Sequence, residues 1–338
     1  MNDILKQYGL ETNPDLTTLG FTDEADWLRL RTLGIGGSDI GAIMGINKYS
    51  SPYQVWKQKV LGEHKDLSDK LVVKKGKDLE SMIRGTYVIP HFQELGYTVK
   101  NLSHHMIINK NYPFLRANLD GVAISNKVNA THEDNIVIEI KFVSEFADVN
   151  WNGEDYCGVP ASYYAQVQEY MLVTGMKKAV ICALFERTWT VNYFEIPKDT
   201  SFQIQLLASA ETFYNVNMLG KVKPPFTSVD ADKEDIEKIV KTFDDTKTFV
   251  KDDSLNEVIA TYLNIKAEVK EREKVQKKLE AEIVNAYTEG RVPSSPLHSV
   301  KVTITKTTRL DTTKLKEEKP EIYEQYCKES ESTRTTIK

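Results

Sequence analysis

Glu139-Ile140-Lys141 sets an acid and a lysine two residues apart inside an apolar run from Ile136 to Val143. Strand side chains alternate between faces. Ile136, Ile138, Ile140 and Phe142 therefore point one way, and Val137, Glu139, Lys141 and Val143 the other. A buried carboxylate or ammonium is costly unless paired or bound to metal. A second acid, Asp120, follows Phe114 to Leu119 and leads into Val122-Ala123-Ile124. The polar stretch Ser125 to Asn135 reads as a hairpin loop, which brings Asp120 near Glu139 and Lys141. Two acids and a lysine on neighbouring strands suit Mg2+-dependent phosphodiester hydrolysis. The same Glu139 and Lys141 equally suit a plain ion pair on a half-exposed strand.

Asp120 and Glu139 are the metal-ligand candidates, because magnesium prefers a few carboxylates plus waters and phosphate oxygens. The Ile140 carbonyl could add a ligand, since it lies between two site-facing side chains. With one or two ions the site would activate water and steady a leaving oxygen. Lys141 can position or deprotonate the water, and can offset charge on the phosphate. Glu80 sits on a helical segment and reads either as a further acid of the site or as a solvated residue. Tyr163, Gln166 and Tyr170 share one helix face, beside the apolar Tyr164, Val167 and Met171. That stripe is either packing or a polar edge over a phosphate.

The turn Gly34 to Ser38 can present backbone N–H groups to an anion, with Ser38 at a helix N-terminus. Arg31 lies seven residues earlier and can join Ser38 on a phosphate. The plainer reading is a capped turn and a surface arginine. No Gly-Lys-Ser/Thr follows, so this is not a Walker loop, and no buried strand precedes it, so it is not a dinucleotide fingerprint. His104-His105 has no acid or cysteine partner nearby in sequence and reads as structural.

Several elements must position these groups. Asp23 to Thr32 and Lys77 to Val88 have helical spacing. Ser51-Pro52 opens another helix, proline being favoured at the first helical position. Tyr97 through Phe142 reads as a β meander. Pro160 starts a helix that runs to about Thr174 and stops at Gly175. Ala179 to Leu184 and Thr190 to Ile196 read as paired strands, and Phe202 to Leu219 as a helix closed by Gly220. These pieces predict an α/β domain over 1–226, with a central mixed sheet flanked by helices. After Pro225 the composition shifts. Asp232 to Val250 and Leu255 to Tyr287 predict a charged α-hairpin within 227–338. A turn at Pro293 to Pro296 and a short β-like stretch, Ser299 to Thr305, follow.

The 338 residues suffice for a sizeable core and for two domains. At 41% hydrophobic and 28% charged, the composition is that of an ordinary soluble protein. The net charge of -5 does not argue against DNA, because a nuclease can focus positive charge in one channel. Cys157, Cys182 and Cys327 are too scattered for a zinc site or an iron–sulfur cluster, and reduced thiols in a cytoplasm are the simplest reading. No apolar run approaches the ~20 residues needed to cross a bilayer, and the N-terminus lacks a signal peptide's apolar core.

Taken in order, six segments resemble the YqaJ-type viral recombinase and phage lambda exonuclease family, within the PD-(D/E)XK nuclease superfamily. They are W-L-R-L-R-T-L-G-I-G-G-S-D at 27–39, S-P-Y-Q-V-W at 51–56, G-K-D-L-E at 76–80, A-N-L-D-G at 117–121, E-I-K at 139–141 and P-A-S-Y-Y-A-Q-V-Q at 160–168. The resemblance covers roughly Trp27 to Thr174. It implies a Mg2+-dependent exonuclease, Mn2+ substituting, that digests linear duplex DNA from the 5′ end and leaves a 3′ single-stranded overhang. By motif, Asp120, Glu139 and the Ile140 carbonyl resemble the metal ligands, and Lys141 the catalytic lysine. Glu80 resembles the acid from the preceding helix, and Gln166 and Tyr163 the helix pair near the scissile phosphate. Arg31 and Ser38 resemble the pocket for the 5′ phosphate. Asn118 stands where the lambda enzyme carries a serine of that pocket. The superfamily's usual Pro-Asp is Leu119-Asp120 here. The resemblance further implies a processive homotrimeric ring, a phage or prophage origin with a bacterial cytoplasm as its location, and a single-strand annealing protein of the RecT or Red-beta kind as partner. A structure-specific or restriction-type endonuclease and a catalytically inert DNA-end-binding module are the alternatives.

Overall fold

The computed structural model describes residues 2–63, 71–102, 104–145, 147, 150–227, 229–242, 250–294, 299–303 and 306–328. The chain divides into two compact units, Met1–Ile236 and Glu237–Lys338.

The first unit is built on a five-stranded mixed sheet. Its strands are β3 (Tyr97–Lys100), β6 (Gly121–Ser125), β7 (Ile136–Val143), β8 (Lys178–Phe185) and β9 (Thr190–Pro197), adjacent in that order. β6 and β7 form the expected antiparallel hairpin, with Gly121 opposite Ile138. β7 and β8 run parallel, joined through helix α7 (Ala161–Thr174), while β8 and β9 are antiparallel. β7 and β8 are apolar almost throughout because both faces are covered.

The alternation predicted for β7 decides what covers each face. Ile136, Ile138 and Ile140 pack with Ile83, Val88 and Phe92, from the helical run of α5 (Leu71–Ile83) and α6 (Ile89–Glu94). Val137 and Val143 pack with Val167, Met171 and other residues of the α7 side. Glu139 and Lys141 therefore face α7. Helix α7 stops where Gly175 takes a left-handed φ of 81°.

Two expectations need correction. Tyr97 through Phe142 is not one meander. Strand β4 (His105–Asn109) leaves the main sheet and pairs antiparallel with β1 (Leu16–Gly20). Its residues 106–109 are buried in succession, so it needs cover on both faces rather than a wet one. Two-residue β5 (Leu115–Arg116) pairs in parallel with β2 (Ile35–Gly36). The helix expected over Lys77 to Val88 is also longer. It starts at Leu71, widens into a π-type turn over Arg84–Val88 and continues as α6 to Glu94. The turn resets the hydrogen bonding just where Pro90 offers no N–H.

Beyond Pro225 the chain continues in helices. Helix α9 (Val229–Lys241) is tied into the first unit: Asp232 accepts from Ser51 Oγ (2.5 Å) and Gln54 Nε2 (3.0 Å), and Asp235 pairs with Lys57 (2.7 Å). Its expected continuation through 243–249 lies outside the described residues. In the second unit, α10 (Ser254–Thr288) is one 35-residue helix with no buried residue. Two short helices follow, α11 (Thr312–Glu318) and α12 (Pro320–Tyr326). Residues 299–303 form no strand, and 295–298 and 304–305 lie outside the described residues.

Candidate active site

The hairpin β6–β7 and helix α7 assemble the acid–lysine cluster. Glu139 is 2% exposed. Its Oε1 accepts from Lys141 Nζ at 2.5 Å and from Gln166 Nε2 at 2.7 Å. Its Oε2 is buried and has no hydrogen-bond partner. Asp120 sits just before β6, where the ladder to β7 has ended, and its Oδ2 accepts from the Ile140 N–H at 2.8 Å. A strand residue presents its N–H and C=O toward the same neighbour, so the Ile140 carbonyl lies on the Asp120 side. The Lys141 ammonium rests 4.7 Å from the ring centroid of Tyr163. Gln166 also donates to the Tyr170 hydroxyl at 3.0 Å. Glu80 pairs with Arg84 one turn on along its helix. It remains close enough for its charge to raise the pKa of both Asp120 and Glu139.

The titration of these groups reflects one shortage, that of positive charge. Burial, then the Glu139 charge, pushes Asp120 well above the usual carboxylate range. Burial also raises Glu139, against the pull of Lys141. For Lys141 burial opposes the ammonium, but Glu139 and Asp120 outweigh it and hold the pKa above its ordinary value. A divalent cation fits this donor set. Two carboxylates and a backbone carbonyl suit a hard ion, and a buried carboxylate oxygen without a partner is a costly group that such an ion would satisfy. Among the described residues, no group of three His, Cys, Asp or Glu side chains is gathered as a metal cluster. Any ion would therefore rest on the two acids, the carbonyl and solvent or substrate oxygens.

Arg31 and Ser38 come together as their spacing predicts. Arg31 ends α2 (Glu24–Thr32), and Ser38 opens α3 (Gly37–Ile43); Arg31 Nη2 donates to Ser38 Oγ at 2.5 Å. The guanidinium also lies 5.1 Å from the Trp27 ring centroid. Both residues line a cavity of about 160 Å3 that they share with Asn118, Asp120, Gln166 and Tyr170. The phosphate candidates thus share one cavity with Asp120 and with Gln166, which bonds Glu139.

The glycines of 34–41 serve close packing. A Cβ on Gly37 would lie 2.6 Å from Tyr170 Cε1 and 3.1 Å from the Gln166 carbonyl. One on Gly41 would lie 3.0 Å from Ser162 Cα. Four residues apart, they let α3 lie against α7 and put Ser38 beside Tyr170.

Sequence reasoning missed the charges beneath the groove. Asp39, 3% exposed, takes Lys59 Nζ at 2.6 Å, Arg31 Nη2 at 3.4 Å and the Gly36 N–H at 2.9 Å. Burial works against its charge, but Lys59 and Arg31 prevail and hold it below the usual range. Lys59 Nζ also donates to the Arg31 carbonyl at 2.8 Å. Arg116 lines the same cavity, and Glu169 is 0% exposed, with neither carboxylate oxygen in hydrogen-bond geometry. Burial first, and the Asp39 charge second, push Glu169 well above the usual carboxylate range. The one available hint was that Glu169 is the only charged residue of α7.

Comparison with known proteins follows the same lines. The family model of the YqaJ-like viral recombinase domain matches residues 26–177. The protein YqaJ of Bacillus subtilis (strain 168) is 27% identical over 315 residues, 93% of each chain. Among solved structures, the alkaline exonuclease LHK-Exo from Laribacter hongkongensis shows 16% identity and a TM-score of 0.43, over 64% of this chain and 98% of its own. A phage related exonuclease from Haemophilus somnus 129PT shows 14% identity and a TM-score of 0.41, over 58% of this chain and 100% of its own. No described helix is long and apolar enough to cross a membrane.

Proposed function

We propose that this chain, whose residues 26–177 match the family model of the YqaJ-like viral recombinase domain, belongs to that family and is a Mg2+-dependent 5′→3′ exonuclease on linear duplex DNA. One observation carries this reading: Asp120 and Gln166 line one cavity with Arg31 and Ser38, and Gln166 donates to Glu139, which Lys141 also meets. An endonuclease needs the acid cluster but has no use for a phosphate-terminus pocket beside it.

The residues divide the work. Arg31 Nη2 and Ser38 Oγ, with Asn118 on the cavity wall, receive the 5′ phosphate; a guanidinium and hydroxyl suit a phosphate dianion. Asp120, Glu139 and the Ile140 carbonyl would hold Mg2+, or Mn2+ in its place. Such an ion supplies polarisation of a phosphoryl oxygen and a more acidic water. Gln166 holds Glu139 in place from α7. Lys141, kept protonated by its two acids and braced on Tyr163, offsets negative charge growing on the scissile phosphate. Glu80 contributes a third negative charge that favours a cation in the site.

Processive digestion to a 3′ overhang, a homotrimeric assembly and hand-over of the overhang to an annealing protein of the RecT or Red-beta kind belong to the same reading. It is tested with a linear duplex labelled at either end, with Mg2+, with and without a 5′ phosphate. Loss of 5′ label as mononucleotides, faster from the phosphorylated end, is expected. Cutting of a covalently closed circle, or release from the 3′ end, would overturn it. Lys141→Ala should abolish cleavage while end binding persists; loss of binding as well would make Lys141 a structural residue.

A further inference from the structure

Helix α10 repeats with a period of seven. Leu255, Tyr262, Val269, Gln276 and Ile283 stand seven residues apart. Val258, Ile265, Arg272, Leu279 and Ala286 follow them, each three residues later. This alternating spacing of three and four is that of a coiled-coil seam. Its seven large apolar members are 43–62% exposed, and the exposed Ile259 and Val275 flank it.

The length of the seam asks for a partner equally long. From Leu255 to Ala286 it runs about 47 Å at the rise of an α-helix. Helices α11 and α12, with 7 residues each, are too short to cover it. A second α10 is long enough. At roughly 80 Å2 for each large apolar side chain, two seams meeting would remove about 1,100 Å2 of apolar surface from water. With the flanking stems this reaches the size of a stable interface, upward of about 1,200 Å2.

The charges decide the orientation. Two parallel copies in register would set Arg272 against the partner's Arg272 inside the seam, and Glu268 against the partner's Glu273 at its edge. Three or more parallel copies repeat the conflict. Buried like charges are costly, and flanking charges select pairing direction. Antiparallel copies escape both clashes. With Leu255 level with the partner's Ala286, Tyr262 meets the partner's Leu279 and Arg272 meets the partner's Val269. Lys266 then faces the partner's Glu273, twice by the two-fold symmetry, and no like charges oppose each other. Lys266 already leans toward the seam, its Nζ 5.6 Å from the Tyr262 ring centroid. Sliding one copy by a heptad sets Lys266 against the partner's Lys266 in one direction, and Glu273 against the partner's Glu273 in the other. We infer that α10 pairs antiparallel with α10 of a second copy of this chain, in this one register. The inference does not rest on the exonuclease reading. An odd number of helices cannot pair off, so in the three-membered ring of that reading α10 would join one ring to another.

Sedimentation equilibrium of the full-length protein tests it. The mass should be an even multiple of the 38.5 kDa chain, and Ile265→Lys, which puts a charge into the seam, should halve it. Lys266→Glu and Glu273→Lys, each alone, should weaken that association about tenfold, since each reverses two exposed ion pairs. Mixed together, these two variants should associate with each other at wild-type strength, because each supplies the sign the other lacks. Both changes lie on an exposed helix face and leave the fold of the first unit alone. A mass of one or three copies, or one that Ile265→Lys leaves unchanged, would overturn the inference. Tighter association of Glu273→Lys would overturn it too, because that change relieves the clash of a parallel pair. So would charge variants that associate no better mixed than alone. Nuclease activity is not the readout, so none of these outcomes bears on the exonuclease reading.

Discussion

Lys59→Met should cost about 3 kcal/mol of stability, the lower end of what removing one partner of a buried ion pair does. The side chains of Lys59 and Asp39 are 2% and 4% exposed and meet at 2.6 Å. Methionine keeps the stem of Lys59 and leaves Asp39 buried with Arg31 at 3.4 Å as its remaining cation. Arg31 is 30% exposed, so its compensation is screened, yet its presence keeps the loss from the upper end of the range. Asp39→Asn on the same background removes the stranded charge. The double variant should then recover most of the loss, a coupling energy of about 1–3 kcal/mol.

The sign with pH sharpens the test. In the wild type, Asp39 lies below its unfolded pKa. Its contribution is present above about pH 4 and disappears as pH falls through the folded value. Without Lys59, burial outweighs the remaining attraction and the shift reverses. The penalty of Lys59→Met is then large at pH 8 and shrinks as Asp39 takes up a proton in acid. Urea unfolding of wild type, both single variants and the double variant at pH 8 and pH 5 reads this directly. Equal, additive losses at both pH values would refute the buried-pair account. Function should follow structure: Lys59 Nζ also holds the Arg31 carbonyl, so the rate ratio of 5′-phosphate to 5′-hydroxyl ends should fall about tenfold, one charge-assisted hydrogen bond partly lost.

Arg31→Ala should bring that ratio close to one while Mg2+-dependent cleavage of a hydroxyl end persists; an unchanged ratio in end-labelled kinetics removes Arg31 from the pocket. Glu169→Gln should flatten the alkaline fall in stability. An acid with a raised folded pKa keeps a proton that the unfolded chain has lost, so stability drops by about 1.4 kcal/mol per pH unit from about pH 4.3 up to the folded value. Parallel slopes for variant and wild type in metal-free unfolding would show that Glu169 titrates normally. Gly37→Ala should lower activity more than tenfold, because its Cβ would sit 2.6 Å from Tyr170 and force α3 off α7; wild-type single-turnover rates would mean that the helices need no such closeness.

What the sequence revealed and concealed follows from the range of each interaction. The two faces of β7 were legible because strand alternation is local, and the hairpin placed Asp120 because its two strands are neighbours in the chain. Helix α7 was bounded by Pro160 and Gly175, both local signals. The pairing of β4 with β1 was not legible: Leu16 meets Asn109 from far along the chain, and nothing near either residue encodes it. Lys59, in a run with Lys57, has the appearance of a surface lysine, and only the fold lays Asp39 over it. The helix expected to end at Val88 goes on, because a π-type turn over Arg84–Val88 carries it past Pro90.

The glycine-rich segment shows most clearly how a local signal can carry a non-local meaning. Read alone, Gly34 to Ser38 is a flexible turn that offers N–H groups to an anion. In the fold, Gly37 and Gly41 are spaced one turn apart on the face that meets α7, and any side chain there would strike Ser162, Gln166 or Tyr170. Smallness, rather than backbone freedom, is what these positions require. The consequence reaches the chemistry. Arg31 and Ser38 come from α2 and α3, and Asp120 and Glu139 from the sheet, so no covalent neighbourhood fixes the distance between them. Helix α7 fixes it, touching Glu139 through Gln166 and lining the cavity of Arg31 and Ser38 with Tyr170. The proposed removal of one nucleotide at a time needs that distance constant, and a rigid buried helix against which α3 can lie without side chains between them is a physical means of keeping it so.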